Sequence, residues 1–215
     1  LVFCRACGGP ATPAQRFCGN CGASLQEVPA PPRERRLVAI LFSDLVGFTT
    51  FSENRDHEDV RDVLEQYFTA ARRSVATYGG HVEKFIGDAV MALWGAPVAR
   101  EDDAERAVRA GLDITAAVRA VAERLAIPEL QVRVGVLTGE AAVDIGPVEE
   151  GMVIGDAVNT AARIQSLAPP GTVLVDDTTR RMCAETIEFR EAGGHLVKGK
   201  ADPVRTWEAL RVRGA

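Results

Sequence analysis

No stretch of the 215 residues runs apolar for the roughly 18 positions that a membrane-spanning helix needs. The best candidate, LVAILFSDLVGF, is interrupted by Ser43 and Asp44, which argues against a span and against a membrane partner. The first residues lack a charged start followed by an apolar stretch, so no secretory leader is expected and the cytoplasm is the expected compartment. A large charge of either sign is missing too. Lys and Arg number 25 and Asp and Glu number 30, and the resulting net −5 gives no electrostatic case for a nucleic-acid partner. Cysteine is scarce, with five residues in all, and its placement is uneven.

Four of the five cysteines are Cys4 and Cys7 in FCRACGG and Cys18 and Cys21 in FCGNCGA. Two C-x-x-C knuckles, each followed by Gly for the tight turn, can bring four thiolates to one tetrahedral Zn2+. Two disulfides or a redox dithiol are the other readings, but nothing points to an oxidising compartment and a lone catalytic pair needs no twin. Four thiolates leave no open coordination position, so the ribbon reads as structural or as a docking module for a protein partner. So small a segment cannot bury enough surface to fold alone, and metal binding would supply on the order of 10 kcal/mol. The ribbon is expected to lack the basic and aromatic surface that nucleic-acid binding requires. Cys183, the fifth, reads as a small packed residue. The ribbon is placed at residues 1–26, followed by a Pro-rich and charged linker, EVPAPPRERR, at 27–36 and a larger module at 37–215.

In that module LVAILFS reads as a buried strand and DLVGFTTF as a loop. Val60, Val63, Leu64, Tyr67, Phe68, Ala71 and Val75 recur at helical spacing and stop at Gly79-Gly80. HVEKFI and AVMALW flank Gly87-Asp88 as the arms of a hairpin. A second helix follows Asp102 and Asp103, LQVRVGVLTG is a strand, and after a strand near MVI a further helix spans about Asp156 to Leu167, followed by TVLVD and the closing strands. The order β-α-β-β-α-β predicts an α+β, ferredoxin-like fold, the split βαβ arrangement, with helices on one face of the sheet. The pentapeptide IGDAV occurs twice, at Ile86 to Val90 and Ile154 to Val158, the first copy predicted in the hairpin and the second at a helix start.

Asp44 follows a buried strand and Asp88 sits at the hairpin tip, and carboxylates there are costly without a cation. Alone, each is an ordinary turn former; converging, the two would suit a pair of Mg2+ ions. FSDLVGFT, EKFIGDAVMALWG, VRVGVLTG, IGDAVNTAAR and LVKGK occur in this order, and the set resembles the class III nucleotidyl cyclases, the adenylyl and guanylyl cyclase catalytic domain, over roughly Arg35 to Leu210. The wording is closest to the bacterial and soluble-type branch.

The resemblance implies a fold related to polymerase palms and a head-to-tail homodimer with active sites at its interface. It implies Asp44, Asp88 and the Leu45 carbonyl as ligands of two Mg2+ or Mn2+ ions, and backbone N–H groups around Gly47 and Phe48 for the phosphates. Asn159 would orient the ribose and Arg163 would stabilise the transition state, while Arg133 and Lys198 would grip the triphosphate. Lys84 matches the adenine-selecting lysine and points to ATP. The second base-selecting position is Met152, and its thioether is a poor hydrogen-bond acceptor, which weakens discrimination. The reading is therefore an adenylyl cyclase making 3',5'-cyclic AMP and pyrophosphate, with relaxed or GTP specificity, or a weakly catalytic regulatory domain, as alternatives.

Overall fold

A computed structural model describes residues 2–4, 6–12, 15–23, 25, 33–53, 55–144, 153–196 and 203–214. The chain divides into two compact units, Leu1–Pro32 and Arg33–Ala215. In the first, strands β1 (Val2–Phe3) and β2 (Pro10–Ala11) pair antiparallel.

The second unit is built on a sheet of eight strands. In chain order it runs β3 (Arg33–Val46), α1 (Phe48–Glu53), α2 (His57–Thr77), β4 (His81–Ile86), β5 (Ala89–Trp94), α3 (Asp103–Leu125) and β6 (Gln131–Asp144). It continues with β7 (Val153–Ile154), α4 (Asp156–Leu167), β8 (Val173–Asp176), α5 (Asp177–Met182), β9 (Ile187–His195) and β10 (Val204–Val212). The spatial order is β4-β5-β3-β6-β8-β10-β9, with β7 paired to β6. Only the β6–β8 pairing among these neighbours is parallel. This is the predicted α+β sheet, and β3 and β6 at its centre carry the residues of interest. Among the described residues no helix is long and apolar enough to cross a membrane.

Because β3 is covered on both faces, its sequence reads as a continuous apolar run rather than an alternation. Ala39, Leu41 and Leu45 pack with Tyr67 of α2 and Ile114 of α3 in one core layer. Val38, Ile40 and Phe42 pack with Ile164 of α4 in the other. The expectation of helices on one face is thus half right. The two helices of the split βαβ unit share a face, whereas α4 covers the opposite one. An apolar stripe such as Ala157, Ala161 and Ile164 is the same whichever face it meets.

Two boundaries differ from the sequence reading. Residues 33–36, expected in the linker, are the first four of β3, since Arg33 to Arg36 pair with Asp144 to Ala141 of β6. Ladder hydrogen bonds to a strand over 100 residues away leave no mark on local composition. DLVGFTTF, expected as a loop, completes β3 and then turns at Gly47 into the short α1. The two IGDAV copies differ as predicted: the first spans the β4–β5 tip, and the second ends β7 and opens α4.

Candidate active site

Asp44 lies near the end of β3, just before the turn into α1, paired in register with Ala89 of β5 and Arg133 of β6. Ala89 is the first residue of its strand, so Asp88, the residue before it, stands at the hairpin tip beside Asp44. Gly87 makes this tip possible, with φ of 62°, a left-handed conformation that residues with a Cβ adopt at a cost. The two carboxylates therefore meet where the chain leaves the apolar core, Asp44 22% exposed at its side chain.

The electrostatics follow from that crowding. Burial first, and then the negative charge of Asp44, push the Asp88 carboxyl up to about 6; its own backbone N–H and the Arg133 guanidinium pull the other way. Arg133 Nη2 stands 3.4 Å from Asp44 Oδ2, and its Nη1 stands 3.4 Å from the Ser166 carbonyl. From the α4 side, Gln165 Nε2 lies 3.5 Å from the same Asp44 Oδ2. On the other face of β3, Ser43 and Tyr67 share a buried hydrogen bond of 2.8 Å directly behind the acidic pair. Burial pushes the Tyr67 phenol well above its ordinary range. Two carboxylates with a shared excess of negative charge and an all-oxygen donor set suit a hard divalent cation such as Mg2+ or Mn2+.

The remaining residues singled out in the sequence fall at several places. Leu45 is buried in β3, just beyond the last β3–β5 pair, so no β5 residue covers that side of it in the ladder. Gly47 and Phe48 form the turn into α1 and adjoin a cleft of about 1090 Å3 that is also lined by Phe51 and Arg55. Lys84 is half-buried in β4, paired with Met91 just after an irregularity in the ladder. Asn159 and Arg163 lie one turn apart on α4, outside the set of residues that α4 buries against the sheet. Among the described residues no hydrogen bond joins either of them to Asp44 or Asp88. Arg133, matched to the triphosphate, lies instead against Asp44. Met152 and Lys198 lie outside the described residues. Gln165, Ser43 and Tyr67 were not expected as site residues from the sequence; the signal for the latter two was a polar residue at an apolar position of a strand and of an amphipathic helix.

In the first unit, the Sγ atoms of Cys4, Cys7, Cys18 and Cys21 all lie within 4.8 Å of one another. The Cys4–Cys21 and Cys7–Cys18 separations are both 3.7 Å, far beyond a disulfide bond of about 2.05 Å. They match the edge of a tetrahedron, about 3.8 Å, built from Zn–S bonds of about 2.3 Å. Both knuckles close alike, Gly8 N–H donating to the Cys4 carbonyl and Gly22 N–H to the Cys18 carbonyl. The N–H of Gly9 and then the Asn20 side chain hold the Cys7 thiol down to about 6, whereas Cys21, against the pull of the Ala23 N–H, is pushed up to about 12 by the Cys7 side chain and by burial, so in the metal-free cluster the negative charge rests unevenly. One expectation is corrected: the ribbon does present aromatic surface, since Phe3 and Phe17 are 65% and 62% exposed. Each precedes the first cysteine of its knuckle, and with Cys4 and Cys18 turned inward the rings are left outside.

The family model for the adenylate and guanylate cyclase catalytic domain matches residues 31–209. The chain belongs to this family. Adenylate cyclase 1 of Rhizobium meliloti (strain 1021) is 34% identical over 186 residues, covering 83% of this chain and 28% of that protein. An uncharacterized protein of Mycobacterium tuberculosis (strain ATCC 25618 / H37Rv) is 36% identical over 194 residues, 85% of this chain and 33% of its own length. The chain thus spans about a third or less of these curated relatives. Among solved structures, the adenylyl cyclase CyaB from P. aeruginosa superposes with a TM-score of 0.79 at 29% identity, over 85% of this chain and 98% of that one. The guanylyl cyclase Cya2 gives 0.77 at 32% identity, over 85% and 95%. The cyclase domain thus has adenylyl and guanylyl cyclases alike among its neighbours.

Proposed function

We propose that this cyclase domain is an adenylyl cyclase that converts ATP to 3',5'-cyclic AMP and pyrophosphate at the interface of a head-to-tail homodimer. The observation that carries the reading is the acidic pair, Asp44 and Asp88, at the joint end of β3 and the β4–β5 hairpin, with Asp88 pushed up to about 6. Asp44, Asp88 and the Leu45 carbonyl would hold divalent metal. Bound metal supplies Lewis acidity, lowering the pKa of the ribose 3'-hydroxyl and offsetting charge on the phosphates. The 3'-oxygen attacks the α-phosphorus, the bond to the β-bridging oxygen breaks, pyrophosphate leaves, and the hydroxyl proton passes to solvent.

The chain's other groups set the geometry. Arg163 presents a planar, permanently charged fork to the pentavalent phosphorus, and Asn159 orients the ribose. Gly47 and Phe48 offer backbone N–H groups to the phosphates, Arg133 and Lys198 hold the triphosphate, and Lys84 accepts adenine. Asn159 lies six residues before Gln165, about 9 Å along the helix, and on a face turned away from the sheet. On this reading a second chain brings its Lys84, Asn159 and Arg163 to the first chain's carboxylates. Ile86 and Ile154, 52% and 53% exposed, offer apolar surface beside each half-site for that contact.

One residue favours a second reading, a cyclase with relaxed or GTP specificity: Met152 stands where a firm acceptor for the adenine amino group is wanted. The resemblance to an adenylate cyclase relative at 34% identity and the lysine at 84 favour ATP. Turnover of ATP and GTP by the purified chain, with Mg2+ or Mn2+, is the test. Asp44→Ala is expected to abolish product while leaving fold and dimer intact. Unchanged activity in that variant overturns the metal assignment, and a preference for GTP overturns the adenylyl reading.

A further inference from the structure

Asp44 is approached by two side chains that do not belong to the metal-ligand set. Arg133 and Gln165 both reach its Oδ2, at 3.4 and 3.5 Å. The two differ in what holds them. The Arg133 side chain is a third exposed, and in the proposed function a triphosphate would compete for its guanidinium. Gln165 is 7% exposed, on the buried face of α4, and its neutral amide has no such competitor.

The backbone around Gln165 is fixed as closely as its side chain. At Gly135 of β6 the helix lies so near the strand that an added Cβ would stand 2.6 Å from the Gln165 Cα. Glycine at 135 therefore sets how far α4 approaches the sheet, and so where the Gln165 amide ends. A buried amide with a full hydrogen-bonding requirement is costly to leave unpaired, which binds it to the carboxylate it faces.

We propose that Gln165 is a positioning residue for the metal-binding carboxylate: from the α4 face of the sheet, opposite the face that Tyr67 covers, it holds Asp44 by one oxygen and leaves the other toward Asp88 and the metal. The inference rests on the metal role assigned to Asp44 in the proposed function. It assigns a task to α4 within its own chain, distinct from the Asn159 and Arg163 it would lend to a partner. A glutamine is suited to this because a carboxylate at 165 would repel Asp44 and compete for the same cation.

The test is Gln165→Met, which keeps the length and unbranched shape that pack against Gly135 and removes the donor. Outer-shell partners of metal ligands are typically worth 10–100-fold in metal affinity or activity. The Mg2+ concentration for half-maximal turnover is expected to rise about tenfold, with KM for ATP at saturating metal nearly unchanged and with activity regained in excess Mn2+. Direct Mn2+ binding, followed by the loss of the free-ion electron paramagnetic resonance signal, is expected to weaken in parallel. Gln165→Asn keeps the amide on a stem too short to reach Asp44, and is expected to behave like Gln165→Met even if the latter folds poorly. Wild-type metal affinity in either folded variant overturns the proposal, as does a loss of turnover that is equal in Mg2+ and Mn2+ with binding unchanged. If the wild-type chain turns over neither nucleotide, the function reading fails separately, and the Mn2+ comparison still decides the role of Gln165.

Discussion

As the metal ligand proposed above, Asp88 must carry charge at a place where charge is disfavoured, and this sets a measurable conflict between stability and metal binding. Its carboxyl is pushed up to about 6, by burial and then by Asp44, from an ordinary value near 4. Folding of the metal-free chain therefore takes up protons in the window from about pH 4 to 6. The sign is that of a raised pKa: the contribution of this group is fully present below the lower value and is lost as pH rises through the upper one. Asp88→Asn removes the charge and keeps the shape. Without added Mg2+, the variant is expected to melt higher than wild type at pH 8 and to lose most of the advantage on acidification to pH 4.5, with no cyclase turnover at any pH. Thermal melts of both proteins across that range are the check, and a variant less stable at pH 8 would contradict burial and the Asp44 charge as the cause of the shift. In wild type, protons and metal compete for the same oxygens, so more Mg2+ is needed for half-maximal turnover at pH 6 than at pH 8.

At the scale of the elements, the end of β3 is held from both faces, Ser43 by Tyr67 of α2 and Asp44 by Gln165 of α4. Removing the phenol oxygen with Tyr67→Phe leaves the Ser43 hydroxyl buried without that partner, at a cost of about 1–3 kcal/mol. Chemical denaturation should show this loss, and Ser43→Ala with Tyr67→Phe should lose less than the two single variants added together. Additive losses would mean that the two hydroxyls do not act as a pair. Most of these elements were legible beforehand because their signals are local. The apolar spacing from Val60 to Val75 with Gly79-Gly80 after it makes α2, and Gly87-Asp88 between two apolar arms makes the hairpin. What was not legible depends on partners far along the chain. The start of β3 at Arg33 depends on pairing with residues 141–144, the side of the sheet that α4 takes is invisible in its stripe, and the Gln165–Asp44 contact spans 121 residues. The clustering of the four cysteines was legible from spacing alone, whereas the outward Phe3 and Phe17 followed only once the inward direction of Cys4 and Cys18 was known.

At the scale of the whole molecule, the proposed function divides each active site between two chains, one giving the carboxylates at the β3 end and the other giving Asn159 and Arg163 on the outward face of α4. If a second copy completes them, defects in opposite halves must complement. Asp44→Ala and Arg163→Ala are each expected to be inactive alone, since every site in either homodimer lacks one essential group. Mixing the two at equal concentration and letting subunits exchange gives heterodimers in about half of the dimers. In each heterodimer one site draws Asp44 from the Arg163→Ala chain and Arg163 from the Asp44→Ala chain, and is intact, while the other carries both defects. Up to about a quarter of wild-type turnover should therefore reappear, rising with total protein as dimers form. A monomeric site predicts no recovery at any ratio, because each chain would keep its own defect.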